Sequence, residues 1–207
     1  IVTGVTANNK VYDSTTAATL NTANASIFGV VGGDAVTLDS SAATGTFATK
    51  NVGNAIAVTA GGFTLAGAAA GNYVVAQPSG LAANITRAAL IVSGLTANDK
   101  IYDGTRFASV NTGGLVITGL IAGDDITPVA GSGAQIEFAQ KDVGNAISVT
   151  ISGVTLAGAD AGNYSLDFSS SLVADITPRQ LTIGANGLPT KIYDGTTQAF
   201  VLQSQIA

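Results

Sequence analysis

Cysteine, histidine, methionine and tryptophan are all missing from this 207-residue chain. Without cysteine the chain can form neither a disulfide nor a catalytic thiolate, and without histidine it lacks the commonest general base. The single glutamate is Glu137. The sequence contains neither a nucleophile-elbow motif nor a phosphate-binding loop. We therefore expect no enzymatic activity. Because position 1 is not methionine, we also expect a fragment or a processed chain.

Charged residues and long apolar runs are scarce as well. Charged side chains make up 10% of the chain, the formal net charge is −5 and the pI is about 4.3. Nucleic acids and anionic lipids both attract basic patches, so an acidic chain suits neither. The apolar run at residues 88–92 is far shorter than the roughly 18 residues that span a bilayer. We expect a soluble protein with no nucleic-acid partner and no membrane insertion.

Small, β-branched and polar residues dominate what is present. Alanine, glycine, threonine, valine, asparagine and serine are abundant, whereas lysine, arginine and glutamate are few. This composition favours strands over helices, and the 26 glycines suit many tight turns. Apolar and polar residues alternate in several segments, which predicts that Ile147 and Val149 share a buried face, as do Leu172, Ala174 and Ile176. The predicted fold class is all-β.

The same motifs occur twice in the same order and begin a third time. Tyr12 returns as Tyr102 and then as Tyr193, at spacings of 90 and 91 residues, and every lysine and tyrosine of the chain falls at a repeated position. The repeated motifs are Lys-x-Tyr-Asp (Lys10, Tyr12 and Asp13; Lys100, Tyr102 and Asp103; Lys191, Tyr193 and Asp194), Gly-Asp (Asp34; Asp124), Lys-(Asn/Asp)-Val-Gly-Asn (from Lys50; from Lys141) and Ala-Gly-Asn-Tyr (ending at Tyr73; at Tyr164). The chain is therefore a tandem repeat.

The repeat period divides the chain into three parts. We predict a first repeat at residues 1–87, a second at 88–178, and the opening segment of a third at 179–207 that docks on the second. A shifted boundary, with residues 1–29 as the leftover segment, is the alternative. Such a unit is longer than the roughly 20 to 45 residues of a solenoid repeat and has the size of a small domain. Almost no linker separates the units, which favours a semi-rigid rod.

One segment bears on the kind of β fold. Residues 156–164 have the spacing Leu…Asp-x-Gly-x-Tyr, by which immunoglobulin-like domains tie the hydroxyl of a tyrosine, here Tyr164, to the backbone. The first copy ends at Tyr73 but has Ala69 in place of the aspartate. We predict small immunoglobulin-like β-sandwiches in tandem. A β-grasp-like unit is the alternative, because the cysteine and tryptophan marks of antibody domains are missing.

The Lys-x-Tyr-Asp motif has two interpretations. In the structural one the tyrosine packs in the core, the aspartate begins a turn and the lysine protects a strand edge. In the other, the motif lysine forms an intramolecular Lys–Asn or Lys–Asp isopeptide bond. Lys50 and Lys141, near Asn54 and Asn145, are equally good candidates for the lysine. We favour the structural interpretation.

Calcium is the one common metal that carboxylates, amides and carbonyl oxygens could hold here. The candidate ligands are Asp99, Asp124 and Asp125, all in turns. No EF-hand or nonapeptide calcium motif accompanies them, so we favour solvated turn carboxylates and expect no cofactor.

Taken in order, the repeated motifs resemble those of the YDG-type repeat family, which is related to the MBG-type repeats. Such repeats occur in tandem in very large bacterial surface and secreted proteins, including filamentous-haemagglutinin-like adhesins. The resemblance covers essentially the whole chain, with Ser14, Ala69 and Arg87 as departures. It implies extracellular display at the bacterial surface and a role in adhesion or spacing, and it supplies no catalytic residue.

Two functions fit these observations. The first is a stalk, in which neighbouring repeats are each other's partners and hold a distal adhesive region away from the cell. The second is a module that binds a host glycan or protein through its loops. The segments that differ between copies are 21–32 against 111–122 and 40–46 against 130–137. These variable segments have only Phe28 and Phe138 as aromatic residues nearby, and glycan platforms usually need more stacking surface. The sequence therefore favours the stalk.

Overall fold

The computed structural model of the protein describes residues 1–169, 171–182 and Gly195, and these residues form an all-β structure. The sequence-based fold class is thus confirmed. Short 3₁₀ helices, Ala70–Asn72 and Ala161–Asn163, precede the motif tyrosine of each repeat. No helix among the described residues is both long and apolar enough to cross a membrane.

The strands of the first repeat are short, apart from two near its end. They are β1 (Val2–Thr3), β2 (Thr6–Ala7), β3 (Lys10–Val11), β4 (Ala17–Ala18), β5 (Leu20–Asn21), β6 (Ser26–Ile27), β7 (Thr37–Asp39), β8 (Thr44–Phe47), β9 (Gly53–Gly61), β10 (Thr64–Ala66) and β11 (Leu81–Thr86).

The second repeat follows the same plan with longer, fused strands. They are β12 (Ala88–Ser93), β13 (Thr96–Ala97), β14 (Lys100–Ile101), β15 (Val110–Asn111), β16 (Val116–Thr118), β17 (Thr127–Phe138), β18 (Gly144–Ala157), β19 (Tyr164–Phe168) and β20 (Leu172–Thr177).

Hydrogen bonds join the strands that open each repeat to those that close it. The main sheets have the orders β3-β11-β9-β8-β4 and β14-β20-β18-β17, and the second repeat adds the sheet β16-β12-β19. The opening strands β3, β12 and β14 run parallel to β11, β19 and β20 respectively. Alternation in the sequence did not predict these parallel pairs, because it shows which face of a strand is buried and not which strand lies beside it.

A repeated turn explains why the closing strands carry Asn84 and Asp175 at equivalent places. Ala55 and Ala146 have φ values of +48° and +49°, a region that residues other than glycine seldom adopt. Their amides donate to the side chains of Asn84 and Asp175 at 2.7 and 2.8 Å. These side-chain acceptors stabilise the turn after each Lys-(Asn/Asp)-Val-Gly motif.

Each repeat is built around an equivalent phenylalanine, Phe47 or Phe138, and both are almost completely buried. The predicted alternation is confirmed in the second core, which consists of Phe138, Ile147, Val149, Leu172, Ala174 and Ile176. The first core, by contrast, continues into the second repeat: it combines Tyr12, Phe47, Val58, Ala83 and Ile85 with Ala88, Leu90 and Tyr164. The two repeats therefore share buried apolar surface.

Several predictions fall on the end of the chain. Lys191, Tyr193 and Asp194 lie outside the described residues, as does most of the segment 179–207. Its four leading residues, 179–182, are exposed. Gly195 has a φ of +75°, close to the +81° of Gly104 at the same place in the second repeat.

Replacing Phe138 with alanine tests the second core. We expect Phe138→Ala to lower the free energy of unfolding by about 3–5 kcal/mol, because it removes a fully buried ring. Phe107→Ala is the matched control, since that ring is 64% exposed in the same repeat. Denaturant unfolding followed by circular dichroism measures both, and equal losses for the two variants would contradict the packing described.

Candidate functional site at the repeat junction

Each repeat contains a long-range tie between its Gly-Asp and Ala-Gly-Asn-Tyr motifs. In the second repeat the Tyr164 hydroxyl donates to Asp124 at 2.7 Å and accepts the amide of Ile121 at 3.1 Å. In the first repeat Tyr73 donates to Asp34 at 2.6 Å and accepts the amide of Val31 at 3.0 Å. Tyr164 thus reaches a backbone amide 43 residues upstream.

The tie shifts the pKa of both partners. Burial, and then the Asp124 carboxylate, raise the pKa of Tyr164 to about 12. Burial also acts to raise the pKa of Asp124, but hydrogen bonds from Tyr164 and Ser14, the nearby Tyr12 hydroxyl and the charge of Lys50 together lower it. Asp124 is therefore a buried carboxylate that stays ionised because of groups from both repeats.

The junction between the repeats is closed by an aromatic contact. The rings of Tyr12 and Tyr164 meet edge to face, with centroids 5.4 Å apart and planes inclined by 71°. Such a geometry is favourable for aromatic pairs beyond the area that it buries. Tyr12 belongs to the Lys-x-Tyr-Asp motif of the first repeat, so one repeated motif packs on another across the junction.

Charged groups surround this aromatic contact. The Nζ atom of Lys50 lies 3.4 Å from Asp160 and 3.8 Å from Asp124, and the Ser14 hydroxyl donates to Asp124 at 3.2 Å. Lys50 and Ser14 come from the first repeat and both aspartates from the second. The Tyr12 hydroxyl, and after it the Asp160 carboxylate, raise the pKa of Lys50, which keeps the ammonium charged.

Asn163 adds two hydrogen bonds across the junction. Its side-chain carbonyl accepts the amide of Val52 at 3.0 Å, and its side-chain amide donates to the Oδ1 atom of Asn51 at 3.2 Å. When exposure is taken over the whole residue, Asn163 is the one buried polar residue among those described. Nearby, Arg87 donates to the carbonyl of Gly162 at 3.1 Å. These bonds fix both position and orientation, because they need the two chains at set distances.

One polar atom in the junction has no hydrogen bond. Among the buried side-chain nitrogen and oxygen atoms of the described residues, the Tyr12 hydroxyl is the one without a partner. It lies beside Lys50 and Asp124 but completes a hydrogen bond with neither. The junction thus holds Tyr12 mainly through ring packing.

The Lys-x-Tyr-Asp motif also builds a compact loop. Lys10 donates to Asp13 at 2.6 Å and to the carbonyl of Thr15 at 2.8 Å, and it lies 5.5 Å from the centre of the Phe47 ring. The lysine thus reaches across the loop onto the core. The residue between aspartate and threonine has positive φ, +65° for Ser14, which explains the glycine usual at this place.

The second copy of this loop has the same geometry. Lys100 donates to Asp103 at 2.9 Å and to the carbonyl of Thr105 at 2.8 Å, and it lies 5.4 Å from the ring centre of Phe138. The Lys100 ammonium, and then the Thr105 amide and hydroxyl, lower the pKa of Asp103 to about 2.

At the two outer ends of this pair of repeats, the equivalent motif residues are more exposed to solvent. Tyr102 is half-buried, whereas its equivalent Tyr12 is buried. Lys141 lies 6.0 Å from the Tyr102 ring centre and pairs with Asp142 at 2.9 Å. Val143 is exposed, whereas its equivalent Val52 is half-buried. At the opposite end Tyr73 is only half-buried.

The three calcium candidates are dispersed and engaged with protein donors. Asp99 accepts the amide of Asp175 at 2.7 Å, Asp124 lies in the junction, and Asp125 accepts the amide of Ala159 at 3.2 Å. The described residues contain no group of three or more histidine, cysteine, aspartate or glutamate side chains placed to hold a metal ion.

The lysines proposed for an isopeptide bond are charged and paired with carboxylates. Lys50 lies beside Asp124 and Asp160, and Lys141 beside Asp142. The Asp142 carboxylate raises the pKa of Lys141. A protonated amine cannot act as a nucleophile, and Asn54 and Asn145 are exposed. This environment opposes the isopeptide chemistry.

Sequence reasoning missed Asn163, Asp160 and Asn51 as junction residues. For two of them a signal was present, since Asn163 belongs to the repeated Ala-Gly-Asn-Tyr motif and Asn51 to the repeated Lys-(Asn/Asp)-Val-Gly motif. Both recur for a reason that becomes visible only when two repeats meet.

The architecture is thus that of an all-β tandem repeat with a built interface between consecutive units. The chain matches the YDG domain over residues 1–80 and again over residues 86–171. It therefore belongs to the YDG domain family. No curated protein and no solved structure matches the chain.

Asn163→Ala tests the junction against a matched control. We expect it to lower the free energy of unfolding by about 1–3 kcal/mol, because the amide of Val52 and the side chain of Asn51 each lose a partner in a partly buried site. Asn72→Ala changes the equivalent but exposed residue and should cost much less. Thermal unfolding measures both. A smaller effect at Asn163 than at Asn72 would contradict the assignment.

The raised pKa of Tyr164 predicts an alkaline signature. Since its folded pKa of about 12 exceeds the ordinary value of 10.0, the contribution of Tyr164 to stability is complete below pH 10 and is lost as the pH rises through about 12. In a spectrophotometric titration of tyrosine ionisation, the step near pH 12 should disappear in Tyr164→Phe. It should persist in Lys10→Arg, which leaves every tyrosine in place. Ionisation of all tyrosines near pH 10 in the folded protein would refute the tie.

Proposed function

We propose that each repeat is a link in a semi-rigid stalk of a bacterial surface adhesin, which holds a distal adhesive region away from the cell. The observation that carries the proposal is the junction, in which the motifs that define the repeat bind the motifs of the next repeat. The interface by itself accounts for the recurrence of these motifs, and no ligand is needed to explain it.

The covalent connection supports stiffness. Strand β11 ends at Thr86 and β12 begins at Ala88, so a single residue, Arg87, lies between the repeats. Arg87 is itself held by its hydrogen bond to Gly162. A one-residue connection with buried apolar, aromatic and charged contacts beside it restricts bending far more than a flexible linker does.

The energetics also favour a fixed arrangement. Leu90 is 1% exposed and packs on the core of the first repeat, so bending at the junction exposes apolar surface. Bending also separates Lys50 from the Asp124 carboxylate, which is almost completely buried. A buried carboxylate that loses its donors is strongly destabilised. The exposure of apolar surface and the loss of charge pairing therefore both oppose bending at the junction.

We also propose that each unit is a β-sandwich of the immunoglobulin-like type. The support is that β12 and β14, successive parts of one opening strand, belong to different sheets of the second repeat. Between these sheets lies an apolar space of about 270 Å³ whose lining includes Val92 and Phe168 from one sheet and Ile136 and Ile151 from the other. Side chains of two sheets facing a common interior define a sandwich.

A ligand-binding module has less support. Of the two aromatic residues near the variable segments, Phe138 is fully buried in the core and offers no surface to a ligand. Phe28 is exposed. However, it lies at one end of the first repeat, and the equivalent end of the second repeat forms the junction. The stalk therefore remains the function that we propose.

Small-angle X-ray scattering of the 207-residue chain at low concentration tests the stalk. We expect the profile of two units held at one fixed angle. In Lys50→Glu, which places a third negative charge beside Asp124 and Asp160, the profile should broaden to that of a flexible pair. Lys141→Glu, at the equivalent but outer position, should leave the profile unchanged. A flexible profile for the unmodified chain would reject the proposal.

A further inference from the structure

The space between the two sheets of the second repeat is an apolar cavity of about 270 Å³. Thr112 is the one polar residue among the described residues that line it, and none of them is charged. A polar or charged group placed inside would have almost no hydrogen-bond partner, so the cavity suits hydrocarbon alone. A lining of this kind around about 150 Å³ is enough to bind benzene. The cavity therefore has room for more than one aromatic ring.

The first repeat has a closed core at the same place. Its four buried residues occupy the repeat positions of four residues that line the cavity. In order, Val2, Val5, Ala60 and Phe63 correspond to Val92, Leu95, Ile151 and Val154. All members of this first core lie within residues 2–81, so the segment after the repeat supplies none of them. Phe63 is 1% exposed. A hydrocarbon ring thus fills in one repeat the place that is open in the other.

A side-chain amide explains why Phe63 turns inwards and Val154 does not replace it. Phe63 lies where the chain is interrupted between β9 and β10. The Gln77 side chain donates to the carbonyl of Phe63 at 2.9 Å and accepts its amide at 3.0 Å. In the second repeat Phe168 stands at the position of Gln77, and β18 continues without a break through Val154. Val154 is therefore held in the strand and only half-buried.

The cavity does not result from a shortage of apolar side chains. Leu115 and Ile151 stand where the first repeat has Ala25 and Ala60, so two wall positions carry larger apolar residues. These larger residues surround the space and keep part of their surface uncovered: Ile151 is half-buried, whereas Ala60 is 5% exposed. Uncovered apolar surface around a concave space is typical of a site that binds an apolar ligand.

The cavity is open to solvent beside β16. Leu115 and Ile117 both belong to its lining, and they are 43% and 40% exposed. Strand β16 is at the edge of the sheet β16-β12-β19, so no further strand of this sheet covers it. A ligand can therefore place an apolar end between the sheets and leave a polar end in water. An amphiphile with one alkyl chain has this form.

We propose that the second repeat binds the alkyl chain of a small amphiphile in this cavity, with the polar end of the ligand at β16. The inference goes beyond the stalk, because it gives the two repeats different properties. A repeat of the Phe63 kind is closed by its own side chain, and a repeat of the Val154 kind takes a ligand in the same place. Burial of the alkyl chain supplies the binding free energy.

Straight-chain alcohols from butan-1-ol to dodecan-1-ol test the proposal by isothermal titration calorimetry of the full chain. We expect the dissociation constant to fall about fourfold for each added CH₂ group while the cavity fills, and then to stop falling. Methyl chemical-shift changes in NMR spectra should centre on Ile117 and Ile151. A lack of binding would overturn the proposal. So would an affinity that rises through the whole series, because an open surface, unlike a cavity, sets no limit on chain length.

Val154→Phe fills the cavity with the side chain that closes the first repeat. We expect it to raise the dissociation constant of octan-1-ol about tenfold or more, because the ring and the alkyl chain compete for one space. Val173→Phe is the control, since it makes the same change at a residue that is 49% exposed on β20. Circular dichroism checks that both variants fold. Undiminished binding by folded Val154→Phe would overturn the proposal.

Two neighbouring residues at the opening give a second test that leaves the interior unchanged. Ile117 and Val116 follow each other in β16 and point to opposite faces, and Ile117 lines the cavity while Val116 is 51% exposed. Ile117→Asp should weaken octan-1-ol binding about tenfold or more, since it places a charge at the apolar opening. Val116→Asp should leave binding nearly unchanged. Equal effects of the two variants would contradict entry beside β16.

The scattering profile separates this proposal from the stalk. The residues that line the cavity all belong to the second repeat. Octan-1-ol should therefore leave the small-angle scattering profile of the unmodified chain as it is. A flexible profile would reject the stalk without affecting the cavity, and a failure to bind alcohols would reject the cavity without affecting the stalk.

Discussion

The carboxylate of Asp124, buried where the two repeats meet, is the group on which the junction depends. Burial disfavours its charge, and the Tyr164 hydroxyl from its own repeat and the Ser14 hydroxyl and Lys50 ammonium from the preceding repeat offset that cost. Removing the preceding repeat would leave the carboxylate with the Tyr164 hydroxyl alone among these three groups. The fold of one unit is therefore completed electrostatically by its neighbour.

The repeated motifs act in two ways according to where they lie. Within a unit, the tyrosine–aspartate tie and the lysine loop hold distant strands together, and their geometry is nearly the same in both copies. Between units, the same tyrosine and lysine positions become an interface when a neighbour is present and stay partly exposed when it is not. One set of residues thus stabilises the domain and joins it to the next, so the array can be extended without a second set of motifs.

The candidate site was only partly visible in the sequence. Tyr12, Tyr164 and Lys50 stood out because they recur, but recurrence does not tell whether a residue serves its own unit or the next. Asp160 was hidden for another reason: its equivalent in the first copy is Ala69, so it does not recur. Asp124 drew attention as a calcium candidate, whereas its oxygens accept hydroxyl donors, which could be seen only after strands distant in sequence had been brought together.

The sequence alone determined the all-β class, the tandem repeat, the buried faces of the strands and the family membership that its motifs indicate. These properties depend on local composition, alternation and spacing, all of which are visible along the chain without any knowledge of the tertiary structure. The parallel pairing of first and last strands, the tie from Tyr164 to a loop 43 residues upstream and the contact of Tyr12 with the following repeat were decided by the tertiary structure. Each joins segments far apart in the chain, and local patterns contain no information on which distant surfaces complement each other in shape and charge.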